Sequence, residues 1–125
     1  MVRPTMILIV EDDPLARRAL QSLFHAHGYA NEAVSSGEDA LELLHHDREE
    51  PEMVLIDIDL PGMSGLDLLH TLQRENPNVP CTLMSAADHD LTVRAGYRAV
   101  PFLPKPLNLP RLFSLVRDQH CKTAS

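Results

Sequence analysis

Five short apolar runs alternate along the chain with five longer amphipathic stretches, and this alternation limits the fold more than any other feature of the sequence. Strands that alternate with helices form parallel sheets, because a helix must carry the chain back before the next strand begins. We expect strands over 6–10, 30–34, 53–56, 81–84 and 100–103. The sequence therefore predicts an α/β fold with three layers, in which five helices cover a doubly wound, five-stranded parallel sheet.

The composition of each run indicates its place in the sheet. Runs 6–10 and 53–56 are apolar throughout, which is typical of strands that helices cover on both faces. Run 30–34 alternates with polar residues, and run 100–103 contains a proline, which cannot donate a hydrogen bond to a neighbouring strand. We expect the first pair of runs at the centre and the second pair near the edges.

Helix signals occupy the intervening stretches. Asp13 before Pro14 is an N-cap followed by proline at the first helical position, and Gly28 is a C-terminal stop. Ser35 and Glu38 have the spacing of a capping box that opens a second helix. We expect the remaining helices over 64–75, 88–96 and 107–119, with the weakest pattern in 88–96.

Length and charge exclude several classes of protein. The 125 residues suit one domain, 1–125, without an output domain, and the net charge of −7 argues against direct nucleic-acid binding. No apolar run approaches the length that spans a bilayer, and the N-terminus has no signal-peptide pattern, so we expect a soluble, cytoplasmic protein. Two cysteines, at 81 and 121, indicate reduced thiols, and the spacing of the seven histidines does not suit a metal site.

Polar side chains stand where the predicted strands end: Glu11 and Asp12 after the first, Asp57 after the third, Ser85 after the fourth and Lys105 after the fifth. The carboxyl ends of parallel strands meet at one edge of the sheet, where ligands bind. If the first and third strands are neighbours, three carboxylates converge there and require a hard cation such as Mg²⁺, with Mn²⁺ as an alternative. Asp13 is left out of this group because it caps a helix.

Any single acidic residue after a strand is more often a solvated turn or a helix cap. Together, however, three carboxylates, a hydroxyl and a lysine match what phosphoryl transfer needs: a nucleophile, a metal, a hydrogen-bond donor and a fixed cation. A carboxylate that attacks phosphorus forms an acyl phosphate. The sequence therefore predicts a phosphoryl-accepting site at Asp57.

Four motifs carry a resemblance to a known family over essentially the whole chain: ILIVEDDP at 7–14, VLIDIDLPGMSG at 54–65, LMSA at 83–86 and FLPKP at 102–106. In order and spacing they resemble the receiver domain of bacterial two-component response regulators. The resemblance implies a flavodoxin-like sheet of strand order 2-1-3-4-5. It also implies phosphorelay signalling, in which a sensor histidine kinase or a phosphotransfer protein is the phosphodonor.

The resemblance assigns roles to individual residues. Asp57 is the phosphoacceptor, and the metal is held by Glu11, Asp12, Asp57 and the backbone carbonyl of Asp59. Ser85 and Lys105 bind the phosphoryl group, and Phe102 is the aromatic switch residue. Pro61, Gly65 and Pro106 shape loops, and the bond between Lys105 and Pro106 is expected to be cis.

The resemblance also implies an output. Recruitment of Ser85 by the phosphoryl group lets Phe102 rotate, and this changes a face formed by the predicted fourth helix, fifth strand and fifth helix. A downstream protein or output domain, or a second copy of the chain, binds that face. Asp59 and Ala87 flank the path of a hydrolytic water, so we expect both to affect the lifetime of phospho-Asp57.

Two other functions remain open. Asp57 and Asp59 also match, superficially, the nucleophile and acid/base pair of haloacid dehalogenase-type phosphohydrolases, although Pro61 stands where that motif has another residue. The alternative within the same fold is a receiver-like module that binds partners without phosphorylation. On the phosphoacceptor interpretation, the protein is a signalling domain rather than an enzyme.

Overall fold

We describe residues 6–46, 50–86 and 100–124 of a computed structural model of the chain, with the side chains of 120–124 left aside. The elements are β1 (Met6–Val10), α1 (Pro14–Ala26), β2 (Ala30–Val34), α2 (Gly37–His46), β3 (Met53–Asp57), α3 (Gly65–Glu75), β4 (Cys81–Ser85), β5 (Phe102–Pro104) and α4 (Leu109–Ala124). The predicted helix over 88–96 and Ala87 lie outside the described residues.

The five strands form one parallel sheet of order β2-β1-β3-β4-β5, as predicted. β1 lies between β2 and β3, so the two strands that contain the fully apolar runs 6–10 and 53–56 are neighbours. β2 and β5 are the edge strands, in agreement with their polar residues and prolines. The predicted α/β fold class is confirmed.

Three strands differ from their predicted bounds. Asp57 and Ser85 are the last residues of β3 and β4 rather than the residues that follow them, because the hydrogen-bond ladder continues past both. The amide of Ile58 donates to the carbonyl of Met84 at 2.9 Å, and the amide of Lys105 donates to the carbonyl of Ser85 at 2.8 Å. β5 spans Phe102–Pro104 rather than 100–103.

Side chains cap the described helices at their N-termini. Asp13 caps α1 by accepting from the amide of Leu15 at 3.2 Å, as predicted. The predicted capping box of Ser35 and Glu38 is wrong. Ser36 is the residue before α2, and its Oγ accepts from the amide of Asp39 at 3.0 Å, so the helix begins one residue later than its first serine suggests.

The other two helices also start later than predicted. Ser64 caps α3, which begins at Gly65, and its Oγ accepts from the amide of Asp67 at 3.1 Å. Asn108 precedes α4 and its Oδ1 accepts from the amide of Arg111 at 3.0 Å, so this helix begins at Leu109 and continues to Ala124.

The core consists of two layers, one on each face of the sheet. Leu8, Val10 and Ile56 pack with the buried leucines of α3 on one face. Ile7 and Leu55 pack with residues of α1 and α4 on the other. Because β1 and β3 are covered on both sides, the loops at their carboxyl ends are held by a rigid sheet. None of the described helices combines the length and apolarity that crossing a membrane requires.

Candidate functional site

The carboxyl ends of β1 and β3 bring acidic side chains together. One carboxylate oxygen from each of Glu11, Asp12 and Asp57 lies within 4.8 Å of the others. Glu11 is 1% exposed and Asp57 4%, whereas Asp12 is exposed to solvent. Across the described parts of the chain, this is the one group of three acidic, histidine or cysteine side chains close enough to share a metal ion.

Lys105 reaches this cluster from the loop after β5. Its Nζ atom donates to Oε1 of Glu11 at 2.6 Å and to Oδ2 of Asp57 at 3.1 Å. Burial lowers the pKa of the Lys105 ammonium group, but hydrogen bonds to the two carboxylates outweigh burial and the pKa is raised. Lys105 is therefore a fixed cation that bridges two of the three acids.

A single lysine does not neutralise the cluster. Burial, followed by the contact with Asp57, raises the pKa of Glu11 from its ordinary value of 4.5 to about 7, although Lys105 opposes this shift. Part of the Glu11 population is therefore protonated near neutral pH in the metal-free protein. Such a site has excess negative charge that a further cation could compensate.

The residues present fit a magnesium ion. Mg²⁺ takes oxygen ligands and keeps several waters, so it suits two buried carboxylates with a third that faces solvent. The electrostatics of the site agree: burial, followed by the contact with Asp57, raises the pKa of Glu11, and a nearby divalent ion would favour its charged form. The acidic cluster is therefore chemically suited to Mg²⁺.

Both oxygens of the Asp57 carboxylate are held. Oδ1 accepts from the amide of Asp59 at 2.9 Å, and Oδ2 accepts from Lys105. The side chain of Asp59 turns towards β4, where its Oδ2 accepts from Oγ of Ser85 at 2.5 Å. Asp57 is thus fixed in orientation at the end of a buried strand.

Arg17 is a residue of this site that the sequence interpretation missed. Its Nη1 atom donates to the backbone carbonyl of Glu11 at 3.0 Å and to that of Asp12 at 3.3 Å. A helical side chain leans towards the N-terminus of its helix, so a residue in the first turn of α1 can reach back to the preceding loop. The position of Arg17 in the first turn of the helix was the one sequence signal for this contact, and it does not identify which backbone carbonyls Arg17 binds.

The loop between β3 and α3 is shaped by a close backbone approach. The amide of Gly65 donates to the carbonyl of Ile58 at 3.1 Å. A Cβ atom at Gly65 would lie 2.6 Å from Cα of Ile58 and would also overlap the carbonyl oxygen of Asp57. Pro61 is an exposed residue of the same loop.

The remaining predicted residues lie around β5. The Lys105–Pro106 bond is cis, as expected. Phe102 is half-buried, pairs in register with Leu83 of β4 and packs against the core layer that contains α2 and α3. The switch role of Phe102 therefore stays a prediction.

Two of the described histidines make contacts outside the acidic cluster. His27 stacks on Phe113 with ring centroids 3.9 Å apart, and His45 Nε2 lies 3.1 Å from Oε1 of Glu75. No described histidine belongs to a group that could share a metal ion. Cys81 is a buried free thiol, and burial raises its pKa to about 12, in keeping with an unreactive cysteine.

Comparisons with known proteins agree on one family. Residues 7–117 match the family model of the response regulator receiver domain. The chain is 32% identical over 116 residues to the response regulator MprA of Mycolicibacterium vanbaalenii, covering 91% of this chain and 49% of that protein. It is 39% identical over 108 residues to the transcriptional activator protein PfeR of Pseudomonas aeruginosa, covering 85% of this chain and 34% of that protein.

A solved structure shows the same architecture. The response regulator protein TrrA of Thermotoga maritima, in complex with Mg²⁺-BeF, superposes with a TM-score of 0.81 at 25% identity, covering 92% of this chain and 98% of that one. The chain spans about half or less of the length of the two curated relatives, 49% and 34%.

Proposed function

This chain belongs to the response regulator receiver domain family, and from that premise we propose that it accepts a phosphoryl group on Asp57 with the assistance of Mg²⁺. One observation carries the proposal. The Asp57 carboxylate is held by Lys105 and by the amide of Asp59, beside the carboxylates of Glu11 and Asp12. A fixed nucleophile, a fixed cation and a set of metal-binding oxygens therefore meet at one point.

The transfer conserves atoms and charge in a simple way. A carboxylate oxygen of Asp57 attacks the phosphorus of a phosphohistidine, and an O–P bond forms while the N–P bond breaks. The electron pair of the broken bond stays on the histidine nitrogen, which takes up a proton. The product is an acyl phosphate, and Lys105 is placed to pair with its oxygens.

The metal would be held by Glu11, Asp12, Asp57 and the backbone carbonyl of Asp59. When bound, Mg²⁺ supplies positive charge that offsets the charge developing on the phosphoryl oxygens. Two side chains of the protein bind the phosphoryl group directly: Lys105 pairs with it, and Ser85 donates its hydroxyl to it.

Phosphorylation then changes a binding surface. We propose that Ser85 moves towards the phosphoryl group and that Phe102, which packs beside β4, follows it. The surface around β5 and α4 changes shape and binds a downstream protein, an output domain or a second copy of the chain. Because MprA is a response regulator and PfeR a transcriptional activator, a regulatory output suits this chain as well.

The donor and the location follow from the same family membership. A sensor histidine kinase or a phosphotransfer protein supplies the phosphoryl group, and we place the reaction in the cytoplasm. The net charge of −7 disfavours direct contact between this domain and nucleic acid. We treat 1–125 as a single receiver domain.

The family match and the position of Asp59 argue against a haloacid dehalogenase-type phosphohydrolase. The family match covers 7–117, and the side chain of Asp59 is turned to Ser85 rather than held as a free acid/base group beside Asp57. A receiver that works without phosphorylation has the same fold, so an experiment must separate it from the proposed function.

That experiment is phosphorylation with acetyl phosphate in Mg²⁺, followed by intact mass spectrometry and amide NMR. We expect the mass to rise by one phosphoryl group and the amides of Ser85 and Phe102 to shift. Asp57→Asn is the matched control, because the amide keeps the shape of the carboxylate but is not a nucleophile. If wild type and Asp57→Asn behave alike, or if EDTA changes nothing, the proposed function is wrong.

A further inference from the structure

The hydroxyl of Ser85 is already engaged in the resting protein. Its Oγ atom donates to Oδ2 of Asp59 at 2.5 Å, a short distance that is typical of a charge-assisted hydrogen bond. Ser85 is completely buried, and Asp59 is exposed. The bond therefore joins a residue that has no access to water to one that has ample access.

Asp59 is placed between the acceptor and the hydroxyl. Its amide donates to Oδ1 of Asp57 at 2.9 Å, while its carboxylate accepts from Ser85. One residue thus orients the nucleophile with its backbone and holds the phosphoryl-binding hydroxyl with its side chain.

A serine hydroxyl has one proton to donate. It cannot donate that proton to the Asp59 carboxylate and to a phosphoryl oxygen at the same time. We propose that Asp59 is a latch: its carboxylate holds Ser85 in the resting position and competes with the phosphoryl group for the Ser85 hydroxyl. This inference rests on the proposed function, because it concerns the same site.

The difference in burial makes the exchange feasible. When Ser85 leaves, water can solvate the exposed carboxylate of Asp59, so the loss of this one hydrogen bond costs little. The buried hydroxyl of Ser85 passes from one anionic acceptor to another. The latch therefore lowers the apparent affinity of the site for a phosphoryl group without preventing the switch.

A double-mutant cycle tests the latch. Beryllofluoride serves as the phosphoryl mimic, its affinity is measured by calorimetry at saturating Mg²⁺, and the proteins are wild type, D59A, S85A and D59A/S85A. We expect D59A to raise the affinity roughly tenfold, the lower end of the range for one hydrogen bond to a charged group, and to have little effect in the S85A background.

The cycle separates the latch from simple repulsion by the Asp59 charge. Repulsion would raise the affinity by the same factor in both backgrounds, and that result would overturn the latch. Equal affinity of wild type and D59A would overturn it too. D59N removes the charge and keeps a carbonyl acceptor, so we expect a gain smaller than that of D59A.

Glu42→Gln is the matched charge control, because Glu42 is exposed on α2 and its replacement also removes one negative charge. A gain in E42Q equal to that in D59N would assign the effect to net charge and overturn the latch. Far-UV circular dichroism and urea unfolding check that each variant is folded. If the binding of beryllofluoride to wild type does not depend on Mg²⁺ and Asp57, both the proposed function and the latch are wrong. If binding depends on both but the effects of D59A and S85A are independent, only the latch is wrong.

Discussion

The Nζ atom of Lys105 lies 2.6 Å from Oε1 of Glu11, closer than its 3.1 Å distance to Oδ2 of Asp57. Lys105 therefore compensates a carboxylate of the proposed metal site as well as the proposed acceptor. Its removal leaves two buried acids facing each other without a counter-charge, and this arrangement predicts a stability effect that depends on Mg²⁺.

We expect Lys105→Met to lower the free energy of unfolding by about 2 kcal/mol in EDTA, because a buried charge loses its partner. Saturating Mg²⁺ should recover most of that loss, since the ion compensates the same carboxylates. Urea unfolding with and without Mg²⁺ measures both values, and Arg111→Met, at an exposed position of α4, is the control. A deficit that Mg²⁺ leaves unchanged would contradict this account.

Glu11 gives the metal-free protein a stability that depends on pH. Its pKa is raised from 4.5 to about 7 in the folded protein, so the folded state holds this proton more tightly than the unfolded chain does. Its favourable contribution is complete below the unfolded value of 4.5 and is lost as pH rises through the folded value of about 7. We expect a total loss of about 3 kcal/mol across this window.

The measurement is urea unfolding in EDTA between about pH 5 and pH 7.5. Glu11→Gln cannot titrate at this position, so the free energy of unfolding of the variant should fall less over the same interval. The difference between the two curves gives the contribution of Glu11, because the histidines titrate in both proteins. Parallel curves for wild type and variant would show that Glu11 does not carry the effect. Added Mg²⁺ should flatten the wild-type curve at its upper end.

Arg17 orders the loop that carries two of the proposed metal ligands. Arg17→Ala removes its bonds to the carbonyls of Glu11 and Asp12, and we expect a loss of about 1 kcal/mol of unfolding free energy. Arg18→Ala is the matched control, because Arg18 is the exposed neighbour on the same helix. Hydrogen exchange at Asp13 should speed up in the first variant and stay unchanged in the second; equal effects would refute the role of Arg17.

Gly65 is required by the close approach of α3 to the end of β3. We expect Gly65→Ala to cost about 2 to 3 kcal/mol of unfolding free energy, because the contacts are with rigid backbone atoms. Gly37→Ala is the control, since its Cβ would meet the flexible side chain of Met63 at 3.0 Å. Thermal unfolding ranks the two variants, and a smaller loss for Gly65→Ala than for Gly37→Ala would contradict the steric argument.

The fold could be predicted largely from local patterns. Fully apolar runs such as 53–56 mark strands that are buried on both faces, and Asp13 with Pro14 marks a helix start, because each signal depends on nearby residues. The predicted start of the second helix was wrong because it used Ser35 as the cap. Ser36 is an equally good capping residue, and the packing of the chain decides between the two serines. Helix boundaries depend on such choices of one residue.

The sequence alone determined the parallel architecture and the set of polar residues at the carboxyl edge, because strand ends and residue types are both local properties. The tertiary structure decided which atoms meet there. Lys105 binds Glu11 and Asp57 across 94 and 48 residues of chain, and Ser85 binds Asp59 across 26. Distances of this kind follow from sheet register and loop packing, and no spacing in the sequence encodes them. The motif thus predicts Asp57 as the acceptor, whereas the hydrogen bond between Ser85 and Asp59 is visible only in three dimensions.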